Sequence, residues 1–151
     1  MQQSFDITRT SRKVVSQFLE NYTLEQLNKI PVGFNNNIIW NIGHIIVVQQ
    51  MLVYKLSGLP MQVSDEMVFN YKKGTKPETE VSQPEVDEIK SFLFKTIEQT
   101  EIDFGNKIFK NYQEFTTMSG FTIKNAEAAI VFNYYHEAMH TGIIMGIRKF
   151  V

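Results

Sequence analysis

Apolar side chains recur at helical spacing in four long stretches of the chain, and no convincing strand pattern competes with them. The first predicted helix runs from about Phe5 to Glu20, with Ile7, Val14, Val15, Phe18 and Leu19 on one face. "TLEQ" follows, a capping box in which Thr23 pairs with Gln26, before Pro31 and Gly33 break the chain. The second helix runs from about Asn37 to Ser57, where Gly58 and Pro60 supply a stop. It is apolar nearly all round, so it belongs deep in the fold. Ser82 and Glu85 form another capping box. They open a third helix with Val86, Ile89, Leu93, Ile97, Thr100, Phe104 and Ile108 in near-heptad spacing. The fourth starts at Asn125 as N-cap and continues to the C-terminus.

Between the second and third helices the chain runs from Gly58 to Val81, far longer than a tight antiparallel hairpin requires. A crossover of that length lets the two helices run parallel, as in some four-helix bundles. The segment holds Phe69, Tyr71, Lys72, Lys73 and a Gly74 hinge, the makings of a lid, but a merely solvated connector is the reading preferred here. With no internal repeat and no low-complexity tract, residues 1–151 read as one all-α domain.

Composition narrows the function. A hydrophobic fraction of 43% with 21% charged residues is that of a soluble globular protein. Lys and Arg number 15 against 16 Asp and Glu, with no basic block, so the footprint of a nucleic-acid binder is missing. Cys is absent, which removes disulfides, thiolate ligands and a cysteine nucleophile together. "IIWNIGHIIVVQQMLVY" is too short and too polar to span a bilayer, and "MQQSFDITRTSRK" lacks the apolar core of a signal peptide. The expectation is a cytoplasmic protein without membrane contact.

The chemistry lies in the three histidines. "HEAMH" at 136–140 reads as a metalloprotease signature, yet "TGIIMGIRKFV" beyond it contains no Asp, Glu or His to act as third ligand. Along the fourth helix Ala126, Ala129, Asn133, His136, His140, Ile143 and Ile147 form the expected inner seam; along the second it is Asn37, Trp40, Asn41, His44, Val48 and Met51. Imidazoles and amides at core positions need partners, since a buried polar group without one costs about 1–3 kcal/mol. A divalent ion held by His44, His136 and His140 supplies one and keeps a coordination position open. The competing reading is ordinary, because an HxxxH pair alone is more often surface or structural than a ligand pair.

"NNNIIWNIGHIIVVQQMLVYKLSGLP" at 35–60, with its GH pair inside an apolar helix, resembles the first metal-ligand helix of the DinB/YfiT-like family. "KGTKP" at 73–77 and "YYHEAMHTGIIMGIRKF" at 134–150 match that family's later blocks in the right order. The resemblance implies a four-helix bundle with a three-histidine divalent metal site, often as a homodimer. It makes His44 the first ligand, and His136 and His140 the second and third. It also implies an activity: some family members are transferases or isomerases that use low-molecular-weight thiols. A thiol-dependent transferase is therefore expected, ahead of a metal-dependent hydrolase or a non-catalytic binding module. The partner expected is a small-molecule substrate.

The residues themselves leave several roles open. Three imidazoles suit Zn, Ni, Fe and Cu alike; Zn is expected first, with Ni, Fe or Mn behind it. Glu137 has three readings: catalytic general base, outer partner of an imidazole N–H, or plain salt bridge. Asn37, Asn41 and Asn133 either line a pocket and bind substrate or bond to helix neighbours, and Asn37 also suits a helix N-cap.

Overall fold

The computed structural model describes all 151 residues, and most of them are helical. The helices are α1 (Gln2–Asn21), α2 (Leu24–Asn28), α3 (Ile38–Val53), α4 (Asp65–Tyr71), α5 (Gln83–Gly105) and α6 (Ala126–Ile147). The chain is all-α apart from a small hairpin, β1 (Phe115–Thr116) and β2 (Thr122–Ile123). α3 packs on α6, α5 and α4, while α1 packs on α6 and α5. No helix is long and apolar enough to cross a membrane.

Local signals place the helix starts. The Thr23 side chain accepts from Gln26 N while Gln26 accepts from Thr23 N, closing the box that opens α2. Asn37 caps α3 by accepting from Trp40 N, and Asn125 caps α6 by accepting from Ala128 N. Glu85 accepts from Ser82 N at the start of α5.

α3 is the spine. Every residue of it except Val48 and Met51 is buried. Ile38, Ile39, Ile42, Ile45 and Ile46 are wholly enclosed, each contributing about 1.5–3 kcal/mol relative to exposure. Its buried amides are paired in series: Gln50 donates to Gln49, Gln49 donates to Thr100 of α5, and Gln50 accepts from Gln62 N. That satisfies both glutamine side chains inside the core.

Four expectations need correction. The Gly58–Val81 segment is not a solvated connector: it contains α4, and Val63, Met67 and Tyr71 are buried against α3. β1 and β2 were not expected, because two-residue strands are too short to show alternation; they pair antiparallel around a turn with Gly120 at φ +84°. The buried stripe of α1 is Phe5, Thr8, Arg12, Val15 and Phe18, rotated so that Ile7 lies outside. On α6 the stripe runs Ala126, Ala129, Ile130, Asn133, Glu137, Ile144 and Ile147, leaving Ile143 exposed. In both helices charged residues take core positions that an apolar count skips. Arg12 and Glu137 are those residues, and they meet.

Candidate metal centre

His44 sits midway along α3; His136 and His140 sit one turn apart on α6, the helix packed against it. The ring centroids lie 4.6 Å apart for His44–His140 and for His136–His140, and 5.2 Å apart for His44–His136. One ring nitrogen from each lies within 4.8 Å of the other two. Zinc holds imidazole nitrogens at about 2 Å, so one bound ion would draw the three rings closer together around it. No Asp or Glu joins the group.

Tautomers follow from the outer hydrogen bonds. His44 Nδ1 is 2.6 Å from the Tyr71 carbonyl oxygen, which can only accept, so Nδ1 carries the proton and Nε2 keeps its lone pair. His140 Nδ1 is 2.8 Å from Asn41 Oδ1. The Asn41 amide nitrogen already donates to Asn37 O and Asn36 Oδ1, which fixes its oxygen toward the imidazole. His140 therefore donates as well. His136 differs: its Nδ1 is buried and has no hydrogen-bond partner. An imidazole in that condition costs the fold about 1–3 kcal/mol, which suits a ligand better than a packing residue.

Burial lowers the pKa of all three imidazoles. His136 is pushed down to about 3, by desolvation first and then by its two neighbours. His140 falls to about 4, by desolvation and then His44. Desolvation also lowers His44, opposed by its bond to the Tyr71 carbonyl. At neutral pH the cluster is three uncharged nitrogen donors, the state in which imidazole binds a metal. Trp40 stacks on His44 with ring planes 14° apart, fixing the imidazole from its other side.

The residues fit a divalent ion, and the family comparison agrees in kind. The family model of the DinB superfamily matches residues 7–144, a span that holds all three histidines. This chain belongs to the DinB superfamily. No curated protein matches it.

This DinB-superfamily chain treats the other sequence-expected residues differently. Glu137 is wholly buried; its carboxylate accepts from Arg12 Nε and Nη2 and from Asn133 Nδ2. Arg12 is wholly buried too, and its remaining donor, Nη1, goes to Leu93 O and Thr96 Oγ1. No imidazole is among the partners of Glu137; of its three readings, the contacts present are those of the salt bridge. Asn37 is a helix cap that also donates to Asn28 O. Asn41 is the outer partner of His140. Asn133 holds Glu137, and its own Oδ1 is unpartnered.

A cavity of about 420 Å³ opens beside the cluster, lined by all three histidines. Val48 and Met51, the two residues of α3 that are not buried, line it as well. None of the three asparagines does, nor does any carboxylate. Two contributors were missed in the sequence. The Tyr71 carbonyl carries no side-chain signal, and Arg12 is 125 positions from its partner; its place among the apolar residues of α1 was the available clue.

Proposed function

We propose that this chain is a metal-dependent enzyme in which His44, His136 and His140 hold one divalent ion, zinc first among the candidates. We further propose that it transfers a group to or from the sulfur of a low-molecular-weight thiol. One observation carries the reading: three neutral imidazoles converge on the wall of a cavity that contains no carboxylate. The bound ion would supply Lewis acidity, lowering the pKa of a thiol or a water beside it. The protein's part is positional. Tyr71 and Asn41 hold two imidazoles with Nδ1 turned outward, and Trp40 keeps His44 from rotating.

Thiol transfer is placed ahead of hydrolysis for a physical reason. Hydrolysis is served by a general base within reach of the attacking water, and Glu137 is committed to Arg12 away from the cavity lining. A thiol, with an ordinary pKa near 8.5, gives up its proton far more readily than water and needs no such base. On this reading α1, α3, α5 and α6 form a four-helix bundle with its long crossover between α3 and α5. A cytoplasmic location and a homodimer belong to the same proposal.

The test is turnover by the zinc-loaded chain with a panel of thiols and electrophiles, and separately with esters and amides. Thiol-dependent turnover that His140→Ala abolishes is expected. Ester or amide cleavage that depends on His140 and needs no thiol would contradict the assignment.

A further inference from the structure

The cavity beside the histidines has a lining that is apolar apart from a few polar groups. Its volume of about 420 Å³ falls within the roughly 300–1,000 Å³ range of small-molecule sites. Met51, Met139, Phe132 and Tyr135 line it from α3 and α6, and Phe115 and Met118 from the hairpin. Met118 is 86% exposed, so apolar surface at the rim stands in water until something covers it. Methionine is flexible and polarizable, which suits an aliphatic or an aromatic body of varied outline.

One charged side chain completes the lining, Lys73. The neighbouring lysines are placed elsewhere: Lys72 lies over the Phe69 ring at 5.4 Å, and Lys76 lines a separate cavity. Lys73 forms no ion pair with any carboxylate of the chain. It follows Tyr71 by two residues, and the Tyr71 carbonyl is bonded to His44, so the backbone that carries the ammonium is tied to the histidine cluster. A lone ammonium, with no arginine fork beside it, matches a monoanion better than a phosphate dianion.

We propose that the cavity takes an apolar aliphatic or aromatic molecule bearing one carboxylate, with its body against the methionines and aromatic rings and its carboxylate on Lys73. This deepens the function proposed above by naming the chemistry of the molecule the thiol meets. It rests on that reading only for which end reacts.

The probes are sodium octanoate and octan-1-ol, titrated calorimetrically into the full-length chain as purified and again after treatment with EDTA. Octanoate is expected to bind about tenfold more tightly than octanol in both forms, the factor of one charge-assisted contact. Lys73→Gln should remove that preference, Lys76→Gln should keep it, and Met118→Ser should weaken both ligands together. Equal affinity for the two probes, a preference that survives Lys73→Gln, or no binding of either would overturn the proposal. Metal content, measured on the same samples, separates the two ideas. A chain that takes up no zinc when loaded with it, yet retains the Lys73-dependent preference, would defeat the metal reading and leave this one standing. One ion per chain with no such preference would do the reverse.

Discussion

The ring of Tyr71 occupies the space that a side chain at position 43 would need: a Cβ on Gly43 would lie 2.5 Å from Tyr71 Cδ1. The same tyrosine's carbonyl accepts from His44 Nδ1. The GH pair in α3 is therefore one device. Glycine lets α4 dock, and the docked segment orients the histidine beside it.

Gly43→Ala tests that coupling. The ring must move, because no flexible chain end is there to give way, and overpacking of this kind costs about 1–3 kcal/mol. Losing an outer partner of a metal-bound histidine typically lowers metal affinity about 10- to 100-fold. Both effects are expected together, read by urea denaturation and by zinc titration. A variant with weakened stability but unchanged zinc affinity would show that the Tyr71 carbonyl does not matter to the site.

The second prediction concerns Arg12 and Glu137, whose side chains are both wholly buried with Nη2 2.7 Å from Oε1. Such a pair is costly to break from one side, because the remaining charge is left in the core. Arg12→Met or Glu137→Leu alone should each cost about 3–5 kcal/mol. The double variant, which removes both charges, should lose less than either single one. Urea denaturation of the three variants measures the cycle. If Glu137→Leu costs little stability yet abolishes turnover, Glu137 belongs to the chemistry after all.

Acid sensitivity follows from the cluster. An ordinary histidine titrates near 6.5, and the fold lowers all three, to about 3 for His136 and about 4 for His140. As pH falls below about 6.5 the unfolded chain gains protons that the folded chain refuses, so the metal-free protein loses stability. The loss continues toward the folded values; above about 6.5 the contribution is constant. Asp6 and Glu101, which Arg9 holds below the usual carboxylate range, add their own loss at lower pH. Stability of the EDTA-treated chain at pH 7.5, 6.0 and 5.0, compared with a His136→Phe/His140→Leu variant, isolates the histidines. Parallel curves for the two proteins over that interval would refute the assignment.

Much of this was legible in the sequence, for reasons visible at particular residues. α2, α3 and α6 begin where Thr23, Asn37 and Asn125 offer a cap, and capping is local chemistry. His44 stood out because a helix apolar all round has few polar residues to explain. The rest is tertiary. Arg12 and Glu137 meet across 125 positions, so Arg12 drew no reading, Glu137 was weighed as base, outer partner or salt bridge without its partner, and the buried stripes of α1 and α6 were placed without either residue. α4 is seven residues long, and its burial depends on the gap above Gly43, which no periodicity announces. The asparagines share faces with the ligands, but none lines the cavity beside the histidines; Asn37 and Asn41 bond within the protein, while Asn133 holds Glu137 and keeps an unpartnered Oδ1.

The central claim is that three histidines from two helices hold one ion, and zinc stoichiometry tests it most directly. Full-length chain is loaded with zinc, dialysed and analysed by mass spectrometry of the elements. In parallel, fluorescence of Trp40, the chain's single tryptophan, follows the titration from its stacked position on His44. One zinc per chain is expected in the parent protein, with a saturable change in Trp40 emission. Each of His44→Ala, His136→Ala and His140→Ala should lose that ion or hold it far more weakly while remaining folded. Retention of one tightly bound zinc by all three variants, or no zinc in the parent chain, would contradict the account.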